Sequence, residues 1–203
     1  IQKPILFGVD IVLHSATKYF GGHSDISAGA VATSKENIDT IWNLAKNFGG
    51  NLSDYSVWLL ERSMKTLSVR VKAQQKNAKK LAKYLSESSF VNTVYYPGLK
   101  SHPNHLLAKK QMKGYGAMIS FEFIDKINPS LFLTSLKLIK PSMSLAGIES
   151  TMLSPAETSH SLLTEEDRIS QGITNKLIRF SVGIENKKDI IMDIEQAIKL
   201  SIK

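Results

Sequence analysis

The spacing of hydrophobic residues changes along the chain, and each spacing predicts a different kind of element. Val9 to Leu13 and Gly29 to Thr33 are short, nearly continuous apolar runs. Glycine turns separate them, and a helical pattern follows over Lys35 to Asn47. Continuous apolar strands that alternate with helices are typical of a parallel α/β sheet, whose ligands bind beside the carboxyl ends of the strands. Lys18 lies at such an end.

A second pattern begins at Ser53, where apolar residues recur at alternating steps of three and four positions. Only Gln74 interrupts the series, which contains Val57, Leu60, Met64, Leu67, Val71, Ala78, Leu81 and Leu85. Without Gly or Pro, this run predicts one long amphipathic helix over about 53–86, with Asn51 and Ser53 as candidate caps. Because long helices often connect domains, we expect a boundary near Val69 that separates residues 1–68 from residues 69–203.

The remainder of the chain predicts a compact α+β domain. Strands are expected at Val91–Tyr95, Met118–Phe123 and Lys176–Ser181, and helices near Leu106–Gln111, Pro129–Leu136 and Lys187–Ser201. In the last helix Ile191, Ile194 and Ile198 share one face, and Asn186 is its candidate N-cap. Residues 1–68 hold too few strands to close a sheet over a core, so we expect them to be the end of a larger domain.

Composition limits the classes of site. The chain has 203 residues and no Cys, which excludes disulfides, zinc thiolate sites and cysteine nucleophiles. Its five His are too widely spaced to predict a metal site. No apolar run approaches the roughly 20 residues that a membrane-spanning helix requires, and the first residues do not have the form of a signal peptide. We therefore expect a cytoplasmic protein.

The formal net charge is +8, from 26 Lys and Arg against 18 Asp and Glu. Such a charge could indicate binding to nucleic acid or to an anionic membrane. The positive residues are mostly lysines on helix faces, and no aromatic residues alternate with them to stack on bases. Examples are Lys72, Lys76, Lys79, Lys80 and Lys83. We interpret them as a solvated face and expect neither a nucleic-acid nor a membrane partner.

Lys18 follows an apolar strand, with hydroxyls at Ser15 and Thr17 before it and glycines at Gly21 and Gly22 after it. A phosphate-binding P-loop is excluded, because there the glycines precede the lysine. Lys18 could simply extend into water. Alternatively, a desolvated lysine is a nucleophile for an aldehyde, and the two hydroxyls could hold a phosphate. An aldehyde and a phosphate on one molecule describe pyridoxal phosphate, PLP.

The segment "DIVLHSATKYFGGHSD", residues 10–25, resembles the PLP-lysine signature of the Cys/Met metabolism enzymes. This family includes cystathionine γ-synthase, cystathionine β- and γ-lyases, methionine γ-lyase and the O-acylhomoserine sulfhydrylases. Further segments resemble the family in the same order: residues 96–108, 114–121, 144–150 and 177–185. The resemblance implies the aspartate-aminotransferase-like fold type I, here the end of the large parallel-sheet domain followed by a small α+β C-terminal domain.

The resemblance also implies roles for individual residues. Lys18 corresponds to the lysine that holds PLP covalently and later moves protons. Ser15 and Thr17 correspond to hydroxyls on the cofactor phosphate. Arg179 corresponds to the arginine that binds the substrate α-carboxylate, for which a guanidinium is well suited. Ser144 corresponds to a serine close to that carboxylate or to the lysine.

Met143 bears on the choice of reaction. Many γ-synthases and cystathionine γ-lyases have a glutamate at the corresponding position, whereas methionine γ-lyases and β-lyases tend to have apolar or aromatic residues. The resemblance therefore favours a carbon–sulfur lyase that acts by β- or γ-elimination on cystathionine, methionine or a related thioether amino acid. A γ-replacement enzyme is the alternative, and a homologue without activity also stays open. Ala146 departs from the family's usual glycine.

Family members are longer than this chain, and their first half carries groups that have no counterpart here. Among these are the aromatic residue that stacks on the PLP ring and the aspartate that pairs with its pyridine nitrogen. The sequence therefore resembles the C-terminal half of such an enzyme. The family also implies a homo-oligomer, a tetramer built as a dimer of dimers, with a small amino-acid substrate.

Overall fold

The computed structural model describes residues 1–203. After a short 3₁₀ turn at Pro4–Phe7, the elements are β1 (Ile11–Ser15), β2 (Gly29–Thr33), α1 (Lys35–Phe48), α2 (Asp54–Met64), α3 (Leu67–Ser86), β3 (Val91–Tyr95), α4 (His105–Gln111), β4 (Met118–Phe123), α5 (Pro129–Ser135), β5 (Lys140–Pro141), β6 (Thr151–Leu153), α6 (Glu165–Ser170), β7 (Leu177–Ser181) and α7 (Lys187–Leu200). They form a two-stranded sheet, β1–β2, and a five-stranded sheet with the order β3-β4-β7-β6-β5.

The first two strands pair with each other in antiparallel orientation, although their apolar pattern is typical of strands in a parallel sheet. Ile11 lies opposite Thr33, and Ser15 lies opposite Gly29. Parallel neighbours need a crossover connection, usually a helix, whereas antiparallel neighbours can be joined by a loop. The connection over residues 16–28 consists of turns and bends without a helix. Lys18 therefore lies in the loop of a hairpin.

The helix predicted over 53–86 is two helices, α2 and α3, with a two-residue break between them. At the break Thr66 has a ψ of 0°. The Ser63 carbonyl accepts from the Thr66 hydroxyl (3.1 Å) and from Nη2 of Arg70 (3.0 Å). These side-chain bonds use an acceptor that a continuous helix would need for its own backbone, which explains the break. Hydrophobic spacing does not report such contacts.

Side-chain caps were predicted at three positions, and two of them are confirmed. The Ser53 hydroxyl accepts from the N–H of Ser56 at 3.3 Å and begins α2. Asn186 accepts from the N–H of Lys188 at 3.0 Å and begins α7. Asn51 instead donates to the Ala45 carbonyl at the end of α1.

The five-stranded sheet and its helices contain the hydrophobic core, a cluster of 21 buried residues that begins at Ala78. All strand pairs in this sheet are antiparallel except β5–β6. The strands predicted at Val91–Tyr95 and Met118–Phe123 are confirmed. Three elements, β5, β6 and α6, were not predicted, and each is six residues long or shorter. Elements that short show too few repeats for a period to be recognised.

The first 64 residues contribute little to this core. No residue of α1 is buried. Large apolar side chains are exposed on both strands of the first sheet and on α1 and α2, including Leu13, Val31, Trp42, Phe48 and Trp58. A two-stranded sheet is only marginally stable alone, and a contiguous exposed apolar surface usually marks an interface.

A buried carboxylate holds the connection between α5 and β5. Asp193 on α7 accepts from the N–H groups of Lys137, Leu138 and Ile139 at 2.8, 2.9 and 2.8 Å. Because Asp193→Ala would leave these donors without a partner, we expect it to lower the free energy of unfolding by about 3 kcal/mol. Urea unfolding measures this change. Glu195→Ala removes an exposed carboxylate from the same helix and serves as the control. Equal losses in the two variants would contradict the role of Asp193.

Candidate active site

Lys18 lies in a cleft of about 540 Å³ between the β1–β2 loop and the start of α3. Ser15, Lys72 and Lys113 also line this cleft. None of its 13 lining residues is Asp or Glu. Lys18 is half-buried and has no carboxylate partner. The cleft is therefore positively charged and suited to an anion.

A tight turn fixes the backbone of Lys18. The Lys18 N–H donates to the Ser15 carbonyl (3.1 Å), and the Gly22 N–H donates to the Lys18 carbonyl (2.7 Å). Gly22 has a φ of +72°, which glycine adopts without the steric cost of a side chain. This requirement explains why a glycine ends the turn.

The two hydroxyls beside Lys18 have different surroundings. Ser15 lines the cleft, whereas Thr17 does not. The Thr17 hydroxyl oxygen accepts from the N–H of Ala28 at 2.9 Å, and the hydroxyl lies 3.3 Å from the Ala28 carbonyl. Thr17 thus closes the base of the hairpin loop, and only Ser15 faces the cleft without a hydrogen-bonding partner.

Arg179, on β7, lies against a loop that follows β5. Its Nη2 donates to the carbonyls of Met143 (2.9 Å) and Ser144 (3.3 Å), while Nε and Nη1 form no hydrogen bond. Burial lowers the pKa of this guanidinium, which nevertheless stays positively charged because arginine titrates far above neutrality. The group is held in one orientation and still has donors for a carboxylate.

The loop over residues 142–150 contains the two other residues predicted for the site. Met143 is 61% exposed, and Ser144 is half-buried. Ala146 has a φ of +67°, which agrees with the glycine that the resemblance led us to expect there. Its N–H donates to the Ser181 hydroxyl on β7 at 2.7 Å.

The structure brings the backbones of the two halves of the predicted site together. The Ile148 N–H donates to the Gly22 carbonyl at 2.9 Å, which joins the 142–150 loop to the turn that carries Lys18. Arg179, Ser144 and Met143 do not line the Lys18 cleft. The Lys18 turn is therefore joined to the 142–150 loop, which Arg179 of β7 contacts, while Arg179 itself lies outside the cleft.

Two residues of α3 were missed by sequence analysis. Gln74 is fully buried and donates to the Gly147 carbonyl at 2.7 Å. Arg70 is also buried and bonds to carbonyls of the Lys18 turn. The signal for Gln74 was present in the sequence, because a polar residue at an apolar position of a helix is typical of a buried hydrogen bond. Arg70 lies beside the apolar stripe and gave no such signal.

Two of the histidines lie close to backbone carbonyls. His105 is within 2.8 Å of the Pro97 carbonyl, and His23 is within 2.8 Å of the Gly21 carbonyl. No group of three or more His, Cys, Asp or Glu is arranged to hold a metal ion. None of the helices combines the length and the apolar character needed to cross a membrane.

Comparison with known proteins identifies the family. Residues 1–199 match the family described as "Cys/Met metabolism PLP-dependent enzyme". The chain is 46% identical to cystathionine beta-lyase of Lactococcus lactis subsp. cremoris (strain MG1363), over 98% of this chain and 53% of that protein. It is 45% identical to cystathionine gamma-lyase of Bacillus subtilis (strain 168), over 98% and 52%.

A solved structure is also similar to this chain. The crystal structure of cystathionine gamma-lyase from Lactobacillus plantarum complexed with L-serine superimposes with a TM-score of 0.93 at 41% identity, over 98% of this chain and 53% of that one. The fold type expected from the sequence motifs is thereby confirmed. The chain spans about half the length of the curated relatives it matches. It belongs to the family of Cys/Met metabolism PLP-dependent enzymes.

Proposed function

We propose that this chain provides the lysine-bearing part of a PLP-dependent carbon–sulfur lyase of sulfur amino acid metabolism. The observation that carries the proposal is the cleft without acidic residues that contains both Lys18 and Ser15. Lys18 offers an amine for the aldehyde carbon of PLP. The Ser15 hydroxyl and the ammonium groups of Lys72 and Lys113 suit its phosphate. The residues present therefore fit this cofactor.

Lys18, Arg179 and Ser144 would each have a separate role in the reaction. Bound PLP supplies an electron-withdrawing ring to the substrate α-carbon. Nζ of Lys18 would hold the cofactor and, once released, take the α-proton as a general base. Arg179 would bind the α-carboxylate and so fix which substrate bond faces the cofactor. Ser144, whose carbonyl already bonds Arg179, would support that carboxylate site.

We also propose that residues 1–68 are part of a larger PLP-binding domain and that residues 69–203 are the small domain. The exposed apolar side chains of β1, β2, α1 and α2 support this division, because they need a covering surface. A segment equivalent to the half of the relatives that this chain does not span would provide it, and the assembled protein would be a homotetramer. Native mass spectrometry of the complete protein measures the subunit number; a monomer would reject the tetramer.

The proposed function is tested by locating the cofactor. The complete protein is incubated with PLP, its visible spectrum is recorded, and borohydride is added before peptide mass mapping. We expect a yellow band that borohydride removes and a reduced adduct on Lys18. A protein that stays colourless, or an adduct spread over several surface lysines, would reject the proposal.

Met143→Glu should shift substrate preference towards cystathionine. A carboxylate at this exposed position would attract the distal ammonium group of cystathionine, which methionine lacks. We expect the ratio of kcat/KM for cystathionine to that for methionine to rise about tenfold or less, the effect of one partly exposed charge pair. Rates of elimination with each substrate measure it.

Met192→Glu is the matched control, since Met192 on α7 is 65% exposed and lies outside the loop. An unchanged ratio for Met143→Glu, or an equal change for Met192→Glu, would contradict the assignment of Met143. Formation of a new thioether when a thiol is added as a second substrate would favour the γ-replacement alternative.

A further inference from the structure

Arg70, in the first turn of α3, is a buried cation without an acidic partner. Its exposed fraction is 5%, and none of the four ion pairs in the structure includes it. Burial lowers the pKa of its guanidinium. A buried charge is costly unless hydrogen bonds satisfy it, so the contacts of Arg70 need an explanation.

The guanidinium contacts two separate parts of the chain. On the helix side, Nε donates to the Thr66 hydroxyl (3.0 Å) and Nη2 donates to the Ser63 carbonyl (3.0 Å). On the other side, Nη1 donates to the Tyr19 carbonyl (2.9 Å) and Nη2 donates to the Phe20 carbonyl (3.1 Å). Arg70 therefore joins the break between α2 and α3 to the two residues that directly follow Lys18.

The carbonyls of Tyr19 and Phe20 accept no hydrogen bond from a backbone N–H. The rest of the turn is held by its own backbone, through the bonds from Gly21 to Ala16 (2.8 Å) and from Gly22 to Lys18 (2.7 Å). Arg70 thus satisfies the two carbonyls in the middle of the turn that the backbone leaves free.

Gly22 makes the approach of Arg70 possible. A Cβ atom at residue 22 would lie 2.0 Å from Nη1 and 2.6 Å from Cζ of Arg70. Gly22 is therefore needed for a second reason besides its positive φ. Because it has no Cβ atom, it leaves room for the Arg70 guanidinium against the turn.

We infer that Arg70 is a positioning residue, which fixes the turn over residues 18–22 against α3 so that the Lys18 amine keeps one place in the cleft. Leu67, Val71 and Lys72 of the same helix line that cleft together with Lys18. Arg70 thus ties the segment that carries Lys18 to the helix that forms another part of the cleft lining. The expected effect on catalysis rests on the proposed function. The hydrogen bonds between Arg70 and the turn do not depend on it.

The substitution Arg70→Lys tests whether the shape of the guanidinium is needed in addition to its positive charge. A lysine keeps the positive charge, but its single nitrogen cannot reach four acceptors on two segments as a planar guanidinium does. Arg62→Lys is the matched control, because Arg62 is exposed on α2 and its side chain makes no hydrogen bond to the turn.

The first measurement is hydrogen–deuterium exchange of the complete protein without PLP. In Arg70→Lys we expect the amides of residues 18–22 to exchange about tenfold faster, while β4 and β7 exchange as in the wild type. Exchange in Arg70→Lys equal to that in Arg62→Lys would overturn the inference. Faster exchange throughout the protein would also overturn it, because Arg70 would then be a general stabilising residue.

The second measurement concerns the bound cofactor. A cofactor held in one orientation has a circular dichroism signal in its visible band, and we expect this signal to weaken in Arg70→Lys although the absorbance band forms. Because a displacement of about 1 Å can cost about 10²-fold in rate, kcat should fall by up to this factor with little change in KM. Unchanged dichroism and kcat would reject the positioning role. If the wild type forms no adduct on Lys18, the proposed function fails and the exchange comparison alone decides whether Arg70 holds the turn.

Discussion

Lys18→Ala is expected to lower kcat by at least about 10³-fold, the largest effect of any single substitution in this chain. The variant loses both the covalent attachment of the cofactor and the base that takes the α-proton. The remaining cleft still offers Ser15, Lys72 and Lys113 to the phosphate, so PLP should bind reversibly. We therefore expect a loss of rate that is much larger than the loss of cofactor affinity.

Steady-state kinetics and a PLP titration followed by absorbance measure the two quantities. Lys76→Ala removes an exposed lysine from α3 that does not line the cleft, and it should keep the wild-type rate. A primary amine added in solution should restore part of the rate in Lys18→Ala, since it can accept the proton in the space that the side chain leaves. If Lys18→Ala kept more than a tenth of the wild-type kcat, Lys18 could not be the base.

Arg179→Lys is expected to lower kcat/KM by about 10²- to 10³-fold, close to the value of a charge-assisted bond to a carboxylate. Nη2 of Arg179 already bonds the carbonyls of Met143 and Ser144, and other donors stay free. A lysine has one nitrogen and cannot serve both the loop and the substrate carboxylate. The variant should therefore lose orientation as well as affinity.

This prediction depends on direct contact between Arg179 and the α-carboxylate of the substrate. We expect Arg179→Lys to weaken the binding of an unreactive amino-acid inhibitor but to leave unchanged the binding of the matching amine without the carboxylate. Arg168→Lys, on α6 and outside the loop, is the control. Equal weakening of both inhibitors would show that Arg179 acts on the fold of the loop and does not contact the substrate.

Family membership could be predicted from the sequence because its motifs are contiguous. The segment around Lys18 and the segment around Arg179 are each read from residues that follow one another, and the family match over residues 1–199 agrees with them. The assignment of individual side chains to a site stays a prediction. The structure adds a distinction between the two hydroxyls, since Ser15 faces the cleft whereas Thr17 is bonded to Ala28.

Local sequence patterns predicted the elements with clear periods, such as β3, β4 and α7, and the caps at Ser53 and Asn186. Their causes lie within a few positions along the chain, where spacing and local hydrogen bonds are visible. Three features became visible only in the folded chain: the antiparallel pairing of β1 with β2, the break between α2 and α3, and the bonds from Arg70 to a turn about 50 positions away. These features depend on contacts between groups that are far apart along the chain. Local sequence patterns do not report such contacts.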